Sequence, residues 1–219
     1  MNNHSFPHAV LWDMDGTLID SEPYWLASES EFASSRNSSW GPEDGLGVIG
    51  MSLYESSKLL KARVGTDLEP QEIIDEITNG VLARLDQSIP WRPGARELLM
   101  LLRENSIKTA LVTGSMHRMA KRVADAIGFD AFDLIIGGDD VSKGKPHPES
   151  YLNAASILGV EPTNCVAFED SLTGITAAEA AGTKAVGIAH IVEIPAKPGR
   201  ILWPTLVGVT LEDLKALFE

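Results

Sequence analysis

The sequence predicts an open α/β fold: a doubly wound parallel sheet with a small α-helical cap domain inserted after the first strand. Three observations predict it. Short apolar, β-rich runs end abruptly in polar residues, helical spacing fills most stretches between them, and one long interval near the start carries helical spacing but no strand-like run.

Taken in order, residues 9–12 form the first expected strand and stop at Asp13. From 21 to 89 no β-rich run occurs, and 25–32, 53–62 and 71–85 read as amphipathic helices. The expected division is therefore 1–20 core, 21–89 helical cap and 90–219 core, with the glycine-rich stretch 41–50 as a loop inside the cap. Pro90-Trp91-Arg92-Pro93-Gly94 marks the return: its prolines disfavour helix and its glycine frees the following turn, which suits a hinge. Beyond it, 95–102 and 151–155 have helical spacing. Residues 109–112, 134–136, 165–168 and 184–188 read as strands, two of them ending at Thr113 and Glu169. In sheets of this kind a ligand sits beyond the carboxyl ends of the strands, near a switch in strand order, so Asp13, Thr113 and Glu169 are expected to converge on one site.

Composition excludes several classes. A chain of 219 residues with 44% hydrophobic and 22% charged content is neither disordered nor fibrous. A net charge of -13 argues against nucleic acid and anionic membrane surfaces, which bind clustered Lys and Arg. A small phosphorylated ligand stays allowed, because a metal ion and one or two cations can reverse the potential inside a pocket. The only cysteine, Cys165, lies in an apolar run, so no intrachain disulfide can form. Residues 1–5 lack the basic start of a leader, and no apolar run is long enough to span a bilayer. A cytoplasmic monomer is the expected state.

Four elements carry chemistry. The first is Asp13-Met14-Asp15-Gly16-Thr17-Leu18, two carboxylates two residues apart just beyond an apolar strand. Like charges held this close need a hard cation, or a proton on one of them. An isolated Asp-x-Asp-Gly is often a surface turn, and calcium loops also begin this way, but here a strand precedes and Leu18-Ile19 follow where a calcium loop would continue with oxygen ligands. Gly16 permits a tight turn whose N–H groups can face an anion. The second is Thr113-Gly114-Ser115, a hydroxyl and successive N–H groups suited to a phosphoryl oxygen. The third is Lys143-Gly144-Lys145-Pro146-His147-Pro148, where prolines confine the backbone around Lys145, a point charge for phosphate. The fourth is Glu169-Asp170-Ser171-Leu172-Thr173-Gly174, a second carboxylate pair at a strand end.

These four elements, in this order across nearly the whole chain, resemble the haloacid-dehalogenase-like superfamily of phosphohydrolases, in particular its capped members of the β-phosphoglucomutase and sugar-phosphate phosphatase group. The resemblance implies a Rossmann-like core and a Mg2+-dependent phosphomonoester hydrolase acting on a small phosphorylated metabolite through an aspartyl-phosphate. It makes Asp13 the nucleophile, Asp15 the general acid and base, and Thr113 and Lys145 the holders of phosphoryl group and nucleophile. Asp13, Asp15 and Asp170 are the implied metal ligands, with Glu169 a ligand or the support of one. Gly16, Gly114, Ser115 and His117, with Gly50, Ser52 and Trp25 of the cap, are the expected substrate contacts.

Neighbouring activities fit less well. Haloacid dehalogenases lack the second aspartate that Asp15 provides. β-Phosphoglucomutases carry a His and an Arg in the cap where this chain has Trp25 and Leu53, which favours hydrolysis over transfer. Phosphonate hydrolases place a Schiff-base Lys in the cap, and Lys58 and Lys61 sit a turn or more beyond the loop. Receiver domains also join aspartates, a Thr and a Lys to accept a phosphoryl group without turnover, but they are shorter and capless. His147 reads as a turn residue, because no second His or Cys stands at ligand spacing.

Overall fold

A computed structural model describes residues 7–219, so the start on which the reading of a missing leader rests lies outside the described residues. The chain divides into two compact units, one running to Ile19 and resuming at Trp91, the other Asp20–Pro90. Among the described residues no helix is long and apolar enough to cross a membrane.

In the first unit β1 (Ala9–Trp12), β2 (Lys108–Val112), β3 (Leu134–Ile136), β4 (Cys165–Glu169), β5 (Lys184–Ile188) and β6 (Ile201–Trp203) form a parallel sheet in the order β3-β2-β1-β4-β5-β6. β1 is central and buried along its whole length, which is why its residues are apolar on both faces and do not alternate. The chain builds outward from β1 to β2 and β3, then crosses to the other side for β4, β5 and β6. The reversal lies between β1 and β4. β6 was not among the expected strands: three residues before Pro204 are too short for a periodic signal, and its pairing with β5 comes from tertiary structure.

Against this sheet pack α5 (Ala95–Glu104), α6 (His117–Asp125), α7 (Glu149–Leu158) and α8 (Leu172–Ala180), and α9 (Leu211–Ala216) ends the same unit. Tyr151 and Ala154 of α7 and Ile175 and Ala178 of α8 join Leu11, Ala110, Val112 and Ala167 of the sheet in one buried cluster. The small alanines let helix and sheet approach closely.

The second unit holds α1 (Glu22–Ser34), α2 (Pro42–Leu46), α3 (Leu53–Val64) and α4 (Pro70–Leu85). Phe32, Leu60, Ile73, Val81 and Leu85 are buried. Ser52 Oγ accepts the Glu55 N–H at the start of α3, Gly65 closes that helix with φ +71°, and Pro70 opens α4. The stretch 41–50, expected as loop, contains α2. Pro42 pre-sets the first turn, and Asp44 accepts the Gly41 N–H at 2.9 Å, which holds the helix start despite the flanking glycines. At the boundary Asp20 N–H donates to Pro90 O at 2.7 Å, and in the first unit Arg92 N–H donates to Leu18 O at 2.9 Å.

Candidate active site

The sheet register brings three loops together. Trp12 lies opposite Leu111 of β2 and Phe168 of β4, so the residues that follow leave adjacent strand ends. Asp13 N–H still donates to Phe168 O, and Thr113 N–H to Ile136 O, each at 3.0 Å, so both side chains start from backbone tied to the sheet. Asp13, Thr113, Glu169 and Asp170 are all buried.

Lys145 reaches this point from the loop before α7, where the Lys145–Pro146 peptide is cis. Its Nζ lies 2.6 Å from Asp13 Oδ1, 2.6 Å from Glu169 Oε1 and 2.9 Å from Val112 O. An ammonium has three N–H donors, and these three acceptors take them all. In this arrangement Lys145 holds the nucleophile candidate. Burial alone would lower its pKa, but Asp13 and then Glu169 outweigh burial and hold the ammonium charged well above its ordinary value.

One cation does not balance three carboxylates. Burial pushes the Asp13 carboxyl up to about 8, Glu169 adds repulsion, Lys145 works against both, and Asp15 adds a further push. Ligand oxygens of Asp13, Glu169 and Asp170 lie within 4.8 Å of one another, close enough for one divalent cation to gather them with small adjustments. Glu169 Oε1 is taken by Lys145 and by the Tyr151 hydroxyl, whereas Oε2 is buried without a hydrogen-bond partner. A buried carboxylate oxygen left unpaired is costly, and a hard cation, directly or through a water bound to it, is the partner it needs. The residues therefore fit Mg2+.

Asp15 is not among the three gathered carboxylates. Its Oδ2 accepts the Ser115 hydroxyl at 2.7 Å and the Thr113 hydroxyl at 3.3 Å. Ser115 N–H in turn donates to Thr113 Oγ1 at 3.0 Å. The acid and base candidate is thus joined to the loop after β2 that carries Thr113 and Ser115.

Two glycines make the cluster possible. Gly16 has φ +84°, and a Cβ there would run into the Asp170 carboxylate and meet the His190 ring. At Gly174 a Cβ would occupy the space of the Glu169 carboxylate. Ser171 caps α8 by accepting the Gly174 N–H at 3.0 Å, so the fourth motif is a helix start that turns its two carboxylates toward the sheet end. Sequence reasoning missed three neighbours: Tyr151, His190, and Arg92, which donates to Ala189 O at 2.8 Å and lies 2.7 Å from His190 Nδ1. Only the nearness of Tyr151 to Lys145 in sequence could have drawn attention to it.

Gly114 stands between Thr113 and Ser115 with open space at its Cα, so a ligand can approach its backbone. His117 opens α6, with its Nδ1 2.5 Å from Asp140 and its N–H on Asp139. His147 lies in a turn, its N–H on Gly144 O. Gly50, Ser52 and Trp25 belong to the other unit: Gly50 has φ +79° in the turn before α3, Ser52 caps that helix, and Trp25 is buried on α1.

Comparisons place this geometry among known proteins. Hexitol phosphatase B of Escherichia coli strain K12 is 31% identical over 181 residues, covering 81% of this chain and 82% of the relative. Beta-phosphoglucomutase of Bacillus subtilis is 29% identical over 189 residues, covering 82% of each. The solved HAD hydrolase, family IA, variant 3, of Entamoeba histolytica superposes with a TM-score of 0.83 at 26% identity, over 96% of this chain and 98% of that one. The family described as haloacid dehalogenase-like hydrolase matches residues 7–182, most of the sequence, and this chain belongs to it.

Proposed function

We propose that the protein is a Mg2+-dependent phosphatase of small phosphorylated metabolites, with sugar or hexitol phosphates as the substrate class. The observation that supports it most is the buried group of Asp13, Glu169 and Asp170, the first two paired with one ammonium, with Glu169 Oε2 left for a cation. The similarity to hexitol phosphatase B supports the substrate class. The segment 21–89 is the proposed cap, and Trp25, Gly50 and Ser52 are proposed specificity residues within it.

Mg2+, held by Asp13, Asp170 and Glu169, would neutralise negative charge on the transferring phosphoryl group. The chain's own residues do the rest. Lys145 favours the ionised form of Asp13, which a bound cation would favour further, and a carboxylate oxygen of Asp13 attacks phosphorus in line. The ester P–O bond breaks, and the departing alkoxide takes a proton from Asp15, a transfer worth ~10²–10⁴ in rate. Thr113 and the backbone N–H groups at Gly114 and Ser115 receive phosphoryl oxygens, with Gly16 giving the first loop its turn and His117 beside them. Asp15 then removes a proton from water, which attacks the aspartyl-phosphate, releases inorganic phosphate and restores Asp13.

A panel of sugar and hexitol phosphates with Mg2+, assayed for phosphate release, tests this. Sustained release that stops with chelator, and is absent in Asp13→Asn with unchanged circular dichroism, is the expected result. Stoichiometric phosphorylation without turnover would instead identify a signalling module. The likeness to β-phosphoglucomutase favours a second reading, transfer between sugar positions, and a coupled assay for the isomerised sugar phosphate in the same panel separates the two.

A further inference from the structure

We propose that Tyr151 is a positioning residue for the cation site, orienting the Glu169 carboxylate so that Oε2 is the oxygen left for the metal. The proposal rests on reading Asp13, Glu169 and Asp170 as that site.

The two oxygens of a carboxylate are chemically equal until its surroundings distinguish them. Here Oε1 receives both the Tyr151 hydroxyl and the Lys145 ammonium, and Oε2 receives neither. The Lys145 contact alone would not fix the carboxylate, because the same ammonium is also bound to Asp13 and Val112 O. The hydroxyl is the donor committed to Glu169. It comes from a fully buried ring in the first turn of α7, packed among Leu11, Ala154 and Ala167, so its position is set by the core. The face of the same ring lies 5.2 Å from Lys145 Nζ, which closes that side of the ammonium and directs its N–H groups to the three acceptors.

A tyrosine serving only as core would contribute its ring and nothing to metal binding. Tyr151→Phe separates the two roles, because it keeps the ring and removes only the donor. Titrating Mg2+ into the metal-free protein by calorimetry should give a dissociation constant about ten-fold weaker in Tyr151→Phe than in the wild type, the scale of one hydrogen bond to a charged group. The melting temperature should change little, and kcat should fall at limiting Mg2+ and recover as Mg2+ saturates, with KM unchanged. Equal or tighter Mg2+ binding by the variant overturns the proposal and leaves the cation site standing. A wild type that takes up no Mg2+ overturns both.

Should Tyr151→Phe fold poorly, the wild-type hydroxyl can be read directly. A Tyr24→Phe/Tyr54→Phe background leaves Tyr151 as the only tyrosine. Its ring bands in the ultraviolet resonance Raman spectrum report the hydrogen bond to Glu169, and they should shift as Mg2+ saturates the protein. Bands that stay fixed through saturation overturn the assignment.

Discussion

The hydroxyl of Ser115 lies 2.7 Å from Oδ2 of Asp15, although the two residues stand a hundred apart in sequence. The contact ties the acid and base candidate to the loop after β2, and its carboxylate is not one of the three that lie within 4.8 Å of one another. Asp15→Asn should therefore lower kcat by about 10²–10⁴ and leave the Mg2+ dissociation constant within a few-fold of wild type. Asp170→Asn should weaken Mg2+ binding severely. Calorimetric titration of both variants checks the contrast, and a large loss of affinity in Asp15→Asn would return that side chain to the metal site.

Three neighbouring buried carboxylates, two of them paired with one lysine, leave excess negative charge in the core unit. A ligand that binds only the folded state stabilises it by about 2.7 kcal/mol at one hundred times its dissociation constant. Mg2+ should accordingly raise the melting temperature of the wild type by several degrees, and chelator should reverse the shift. Asp13→Asn, with one carboxylate fewer, should be more stable than wild type without metal and gain less from Mg2+. Calorimetric melts of the two proteins with and without Mg2+ decide it, and identical gains would argue against a shared cation.

The residues that were legible in the sequence are those whose chemistry is out of place locally. Asp13, Thr113, Glu169 and Asp170 are polar groups directly after apolar runs, and Lys145 sits between confining prolines, so type and context marked them before any contact was known. The side chains of Asp13, Lys145, Glu169 and Asp170 do lie together, and that of Thr113 reaches Asp15, because parallel pairing aligns the strand ends. Contacts that join distant segments left no local pattern. Ser115 on Asp15, Tyr151 on Glu169 and Arg92 beside His190 are each ordinary residues in their own neighbourhoods. β6 and α2 escaped for a related reason: one is three residues long and stabilised by its neighbour, the other starts among glycines and is held by Asp44.

Gly16 joins the turn of the first loop to the packing of Asp170. A Cβ at this position would overlap the Asp170 carboxylate, and φ +84° is strained for any other residue. Gly16→Ala should cost about 1–3 kcal/mol of stability and, by displacing Asp170, about 10² in kcat. The activity loss should exceed what the unfolded fraction explains. Urea denaturation beside steady-state kinetics measures both, and an active, equally stable variant would show that the loop adapts freely.

Glu29 is a buried carboxyl on α1 of the helical unit. Burial pushes it up to about 7, against the opposing hydrogen bond from Trp40 Nε1–H at 2.8 Å. A folded-state value above the ordinary 4.5 means that the folded chain keeps a proton the unfolded chain has released throughout that window. The contribution of Glu29 to stability is then greatest below pH 4.5, falls as pH rises toward 7, and is level above it, a change on the order of 3 kcal/mol. Glu29→Gln keeps an oxygen for Trp40 and cannot ionise, so it should remove this loss and be the more stable protein at pH 8, with little difference at pH 4.5. Urea denaturation of both proteins across this range reads the difference directly. Parallel curves for the two would mean that Glu29 ionises without cost to the fold.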